Sequence, residues 1–231
     1  MPVPTLRLVT YNVRSMRDDR AALGRVIRSI EPHVVCVQES PRFLRWRSLC
    51  AELARISNLV VVSGGRYAGS NLILSALPVD VLSNEDVLFT KDPGLHQRGT
   101  AIAVLQYHGS RFAVAGTHLD LSAPARLRHV AELDAAIEQH VPADVPCVVA
   151  GDMNARPGSP VWQALNARRQ DAFACAGSGG AFTSPAKHPR HQIDGVFSDP
   201  RITVLSARVI DHPDVPIASD HRPLLVELEL P

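Results

Sequence analysis

The chain of 231 residues lacks the hallmarks of several large protein classes. It has four cysteines, Cys36, Cys50, Cys147 and Cys175, none of them in a CxxC pair. Neither a disulfide framework nor a zinc site is expected, and Cys36 in VVCVQ and Cys147 in PCVVAG read as small buried hydrophobes. No apolar run reaches the length of a membrane-spanning helix. The start, MPVPTLRLVTYNV, enters a strand pattern without the zones of a signal peptide, so reduced thiols and a cytoplasmic location are expected. Charge of one sign is missing too. Lys and Arg total 24 against 23 Asp and Glu, a formal net charge of +1. That excludes a grip on nucleic acid through bulk charge and leaves a local basic groove open. Walker A, GxSxG, HExxH and strand-linked GxGxxG patterns are all absent. Nucleotide-driven transfer, serine hydrolysis and zinc proteolysis therefore lack their parts.

What is present is a recurrence of short runs rich in Val, Ile and Leu. They predict strands at 6–12, 33–39, 71–75, 101–107, 111–118, 147–152, 192–197, 202–210 and 223–230. A helix is expected over 18–30, capped by Asp18 or Asp19, with Leu23, Val26, Ile27 and Ile30 on one face. Another is expected over 124–141, carrying Leu127, Val130, Leu133, Ile137 and Val141 at helical spacing, and a third starts at Ser159-Pro160. Trp46 and Trp162 fall in helical stretches and read as core, and Tyr67 reads as a packed loop aromatic. Residues 175–191 form a Gly/Pro-rich loop whose KHPRH cluster reads as solvated. No linker divides the chain, which reads as one α/β domain over residues 1–231.

The distinctive polar residues collect where these strands end. Asn12 closes the first, Glu39 the second, His118 the AVAGTH strand and Asp152 the VVAG strand, with Asn154 two residues on. Asp194 stands in QIDGV, and Asp220 and His221 precede the last strand. In layered α/β proteins such ends converge on a crevice. Glu39, with Asn12 and Asp220, offers a few hard oxygen ligands of the kind that suit Mg²⁺ or Mn²⁺. Asp152 and Asn154, two apart in extended chain, face one side, where one orients a water and the other donates to a phosphoryl oxygen. Adjacent Asp220 and His221 face opposite ways, so Asp194 is the better partner for His221, and Asp220 turns toward the metal.

At this point a family comes into view. TYN (10–12), VQES (37–40), GTHLDL (116–121), GDMNARPGSP (151–160), QIDGVF (192–197) and SDHRPL (219–224) resemble the ordered motifs of the endonuclease/exonuclease/phosphatase superfamily. The resemblance implies a four-layer α/β/β/α sandwich of two mixed β-sheets flanked by helices, and Mg²⁺-dependent cleavage of a phosphoester, with Mn²⁺ as an alternative ion. It implies Glu39 as the principal metal ligand with Asn12 beside it and Asp220 nearby. It also implies Asp152 and Asn154 as the water-orienting and phosphate-binding pair, and Asp194 with His221 as a dyad. His118 matches a phosphate-contacting histidine, and Arg98 resembles a basic substrate-binding residue of bacterial members. Asp120 reads as a support for the loop after its strand.

The departures matter as well. Arg14 stands where AP endonucleases carry an acid, His118 lies in the region where they carry a tyrosine, and Gly195 replaces an aromatic, a change that reads as packing. The expected partner is a phosphoester substrate, nucleic acid being one candidate, and a monomer is the expected form. A DNA or RNA nuclease is the alternative activity, and a non-catalytic binding module the rival from another class. A lipid-headgroup hydrolase would want exposed apolar loops at the cleft, and none is evident in the sequence.

Overall fold

The computed structural model describes residues 5–231. Twelve strands run in the order β1 Thr5–Asn12, β2 Val34–Gln38, β3 Val60–Gly65, β4 Asn71–Ser75, β5 Asp80–Leu88, β6 Gly99–Tyr107, β7 Ser110–His118, β8 Cys147–Asp152, β9 Gln170–Asp171, β10 Asp194–Ser198, β11 Thr203–Val209 and β12 Leu224–Glu229. The helices are α1 Arg20–Ile30, α2 Trp46–Ser57, α3 Ala123–His140, α4 Pro160–Asn166, α5 Ala172–Ala176 and α6 Val215–Ala218. The strands form two six-stranded sheets, ordered β11-β12-β1-β2-β4-β3 and β5-β6-β7-β8-β10-β9. Both are mixed: β1–β2 and β7–β8 are parallel and their other pairings antiparallel.

Alternation along the strands builds the layers. In β1, Leu6 and Leu8 point to the space between the sheets, whereas Val9 and Tyr11 join the layer with Leu23, Val26 and Ile27 of α1 and Leu53 of α2. In β8, Val148 and Ala150 face the other sheet, whereas Val149 packs with Val130 and Leu133 of α3 and Trp162 of α4. Both faces of the central strands are therefore buried, which explains why they read as near-continuous apolar runs. The result is the expected α/β/β/α sandwich.

Local signals set the starts of two of the expected helices. Asp19 caps α1, its carboxylate accepting Ala22 N–H at 2.9 Å, and Ser159 caps α4 ahead of Pro160. In α3, Leu127 departs from the expected face and is exposed, while Val130, Leu133 and Ile137 are buried. Trp162 is core as expected, but Trp46 begins α2 only half-buried, and Tyr67 is largely exposed. Strands β3 and β5 were not legible in the sequence. Each is an edge strand with a register shift; β5 is exposed along most of its length, and of their apolar residues only Val62 and Val87 pack against the core, too few to set a period. Cys36, Cys50 and Cys147 are buried thiols and Cys175 is exposed; all are free. Among the described residues no helix is long and apolar enough to cross a membrane.

Candidate active site

Strand register brings the polar residues together. The β7–β8 pairing sets His118 beside Asp152, and the β8–β10 pairing sets Asp152 beside Asp194. In the other sheet, Asn12 ends β1 next to Gln38, and Glu39 follows at once. Arg98 enters at the start of β6, and His221 just ahead of β12, both at this same end of the sandwich. Glu39 has a left-handed backbone with φ of +51°, as does Asn154 with φ of +47°. Such conformations are costly for a non-glycine residue and persist where surrounding bonds over-determine them. Around Glu39 those bonds are Ser15 N–H donating to Glu39 O at 2.8 Å and Ser40 N–H donating to Ser70 O at 2.8 Å.

Asp152 is the hub. Its Oδ1 accepts Asn154 N–H at 2.9 Å. Its Oδ2 lies 3.1 Å from Asn12 Nδ2, 3.4 Å from His118 Nε2 and 3.8 Å from His221 Nε2. The expected extended chain from Asp152 to Asn154 is absent, because the backbone turns at Asn154 to satisfy that first bond. The two side chains nevertheless reach one site, and Asn154 Nδ2 sits 3.0 Å from His118 Nε2 and donates to Leu119 O at 2.9 Å. His221 Nδ1 pairs with Asp194 Oδ2 at 2.8 Å, the partner expected over Asp220. Ser219, overlooked in the sequence, braces this corner: its hydroxyl donates to Asn12 O at 2.7 Å and accepts His221 N–H at 3.4 Å.

The two histidines are tuned in opposite directions. Burial pulls His118 down to about 3, with Arg98 helping and Asp152 opposing, so it is neutral and can accept from Asn154. Burial pushes His221 down as well, but the Asp194 carboxylate outweighs it through charge and hydrogen bond, with Asp152 and Asp220 adding. The net effect lifts His221 well above the ordinary imidazole range, so it is a cation.

Asp220 is not gathered into the cluster. Its carboxylate is half exposed and pairs with Arg14 at 3.3 Å, lining an outer crevice with Asp18 and Lys187. Arg14 supplies that carboxylate's partner. Asn12 departs in a smaller way. Its Nδ2 faces Glu39 Oε1 at 3.3 Å as well as Asp152, and its Oδ1 accepts Arg14 N–H at 3.1 Å. It holds the carboxylates, and it would offer oxygen to an ion only on turning its amide. Asp120 supports its loop by accepting Ser122 N–H at 2.9 Å. Gly195 is required by packing, since a Cβ there would come within 2.8 Å of Phe197 and 3.0 Å of Trp162.

These groups floor a cavity of about 340 Å³ lined by Glu39, Arg98, His118, Asp152, Asn154 and His221 among others. Arg98 is buried, its Nε has no hydrogen-bond partner, and its nearest acid is Asp120 at 3.7 Å. Arg17, Arg42 and His96 add basic groups that sequence reasoning missed. Phe43 and Leu121 also reach the mouth, so the cleft does carry exposed apolar loops, contrary to expectation.

Glu39 and Asp152 converge on one amide, an arrangement that favours a hard cation beside them. A tighter set, Asp152, Asp194 and His221, offers ligand atoms within 4.8 Å of one another. In that set His221 Nδ1 is already taken by Asp194, which fits proton positioning better than ligation.

Comparison with curated protein sequences gave no match. Solved structures are similar along the whole chain. One is an endonuclease/exonuclease/phosphatase from Bacteroides vulgatus, 21% identical, with 99% of this chain and 100% of that one covered and a TM-score of 0.83. Another is a mannosyl-6-phosphatase from Bacteroides thetaiotaomicron, 16% identical, covering 96% and 99% with a TM-score of 0.80. A third is D. rerio TDP2 complexed with a single-strand DNA product, 17% identical, covering 97% and 98% with a TM-score of 0.74. At these identities the likeness speaks for the fold. The model of the Endonuclease/Exonuclease/phosphatase family matches residues 9–221, and the chain belongs to that family.

Proposed function

We propose that the protein is a divalent-metal-dependent phosphoric ester hydrolase acting by in-line attack of water. The observation that carries this is the placement of Asp152 Oδ2 among Asn12, His118 and His221, on the floor of a cavity that also holds Glu39 and Arg98. Asp152 orients the attacking water and takes its proton as the new oxygen–phosphorus bond forms. Arg98 meets the phosphoryl oxygens with a cation that has no competing hydrogen bond at Nε. His221, charged and held by Asp194, donates from Nε2 where negative charge develops. His118, neutral, fixes the Asn154 amide, which turns to the phosphoryl group when substrate enters. Glu39, with Asn12 beside it, would hold Mg²⁺ or Mn²⁺. Such an ion, when bound, neutralises charge on the phosphoryl and leaving oxygens. The leaving oxygen departs with the bonding pair and is protonated from the site or solvent.

The test is the initial rate on bis(p-nitrophenyl) phosphate and on p-nitrophenyl phosphate with Mg²⁺, Mn²⁺ or EDTA, for the wild type and Glu39→Ala. Metal-dependent turnover lost in the variant supports the proposal. A preference for the diester or the monoester decides between phosphodiesterase and phosphatase. Metal-independent binding of phosphoesters without turnover would replace it with a binding module.

A further inference from the structure

The segment leaving Glu39 carries an unusual surface. Residues 41–47, PRFLRWR, run from the rim of the cavity into α2. Phe43 is 72% exposed and Leu44 89%. From the other sheet, Leu121, in the loop after β7, is 69% exposed and lines the same cavity. Large apolar side chains this open to water, on loops from both sheets around one site, mark an interaction surface.

The charge around them is one-sided. A groove of about 890 Å³ shares Arg42, Phe43 and His96 with the cavity and continues to Arg45, Arg66 and Lys91. No Asp or Glu lines it among the described residues. In a chain with 24 Lys and Arg and 23 Asp and Glu, that is segregation and not composition. The Arg42 guanidinium lies 5.1 Å from the Phe43 ring centroid, and that of Arg47 lies 4.5 Å from Trp46. Cations alternating with aromatic and aliphatic tips are the chemistry of a water–lipid boundary.

We propose that this face docks on an anionic phospholipid surface. Phe43, Leu44 and Leu121 enter the acyl boundary, and Arg42, Arg45, Arg66 and Lys91 face the lipid phosphates. The substrate class is then a phospholipid-headgroup phosphoester, a conclusion that rests on the hydrolase proposal above, whereas the docking does not. A single nucleic-acid strand would also use the cations and would stack on Tyr67 or Trp46. It would leave Leu44 and Leu121, which cannot stack, facing water, and these aliphatic tips decide for lipid. A second copy of the chain would have to bring an acidic counterpart to the groove.

The experiment is flotation with large unilamellar vesicles, equimolar phosphatidylglycerol and phosphatidylcholine against phosphatidylcholine alone, at about 0.15 M salt. The wild type is expected to float with the anionic vesicles and to remain behind with the neutral ones. The double variant Phe43→Ser/Leu44→Ser should lose at least about tenfold in partitioning, and Leu121→Ser, on the other loop, a smaller factor, with circular-dichroism melts unchanged.

Wild type that does not float overturns the docking, as does a double variant that floats equally well. Retention of a single-stranded oligonucleotide by non-floating protein would assign the groove to nucleic acid instead, and sedimentation as a dimer would assign it to a second copy. Hydrolysis of bis(p-nitrophenyl) phosphate, which needs no membrane, is followed in parallel. Floating protein that hydrolyses no phosphoester keeps the docking and removes the headgroup as substrate.

Discussion

At the end of the sandwich where β1 and β2 begin, Arg7, His33, Tyr107 and Glu227 partner one another; where those strands finish, acids and histidines crowd and compete. At the first end, His33 Nδ1 accepts Arg7 N–H at 3.0 Å, and Nε2 meets Tyr107 OH from the other sheet at 3.1 Å. Arg7 in turn donates to Ile30 O at 3.2 Å and pairs with Glu227 at 2.8 Å. At the second end, Glu39 and Asp152 share one amide, and Asp194 Oδ1 and Arg98 Nε lack hydrogen-bond partners though buried. Both ends sit on the same two sheets, so the difference lies in what each end is for. One joins the layers. The other leaves a carboxylate oxygen and a guanidinium nitrogen buried without partners beside the cavity, at a cost in stability that the rest of the fold carries.

Exchanging carboxylates at the crowded end should break turnover without breaking the fold. The largest effect is expected for Asp152→Asn and His221→Ala, each about 10²- to 10⁴-fold in the rate of diester hydrolysis. In Asp152→Asn the melting temperature should hold or rise, because one of the crowded acids is gone. A loss below about tenfold at both positions would refute their roles. Next comes Glu39→Ala, read without turnover. Wild type with metal at about 100-fold over its Kd should gain about 2.7 kcal/mol of stability, and the variant none. A full gain in the variant would move the ion elsewhere, with Asp152, Asp194 and His221 the next set to test. Smaller still is Asp220→Asn, expected to cost under about tenfold in rate, since Arg14 already holds that carboxylate away from the cavity. A loss as large as that of Asp152→Asn would restore Asp220 to the metal.

How much of this was legible in the sequence differs between strand and loop. Central strands such as β1, β7 and β8 are buried on both faces, so composition alone marks them, and their ends mark Asn12, His118 and Asp152. The Asp194–His221 pair was expected from alternation, but Asp220 and His221 sit in a bend ahead of β12, so the pairing holds although the extended chain assumed for it is absent. Alternation failed at Asn154, where a turn replaces the strand, and at Asp220, where Arg14 supplies a partner three-dimensional proximity alone reveals. Edge strands β3 and β5 were silent because each turns only one apolar side chain, Val62 or Val87, to the core. The groove beyond the cavity was silent for another reason. Arg42, Arg66 and Lys91 are far apart in the chain, and a near-zero net charge conceals their segregation on one face.

The last prediction sets the two ends against each other through pH. Burial and the nearby Arg7 charge lower the pKa of His33, so the folded state prefers it neutral, with Nδ1 free to accept Arg7 N–H. Its contribution to stability is therefore complete above the unfolded value of 6.5 and is lost as pH falls from there toward the lower folded value. His221 has the opposite sign. Its folded pKa is raised, so its contribution is complete below 6.5 and is lost as pH rises through the folded value. Urea unfolding followed from pH 5 to 9 should show both arms. His221→Ala should flatten the alkaline arm along with abolishing turnover. Tyr107→Phe, which takes a partner from His33, should cost about 1 kcal/mol and lower the melting temperature by about 2–4 °C. Hydrolysis by Tyr107→Phe should match wild type, because nothing at that end of the sandwich touches the cavity. A Tyr107→Phe enzyme with impaired turnover and unchanged stability would reverse the assignment of the two ends.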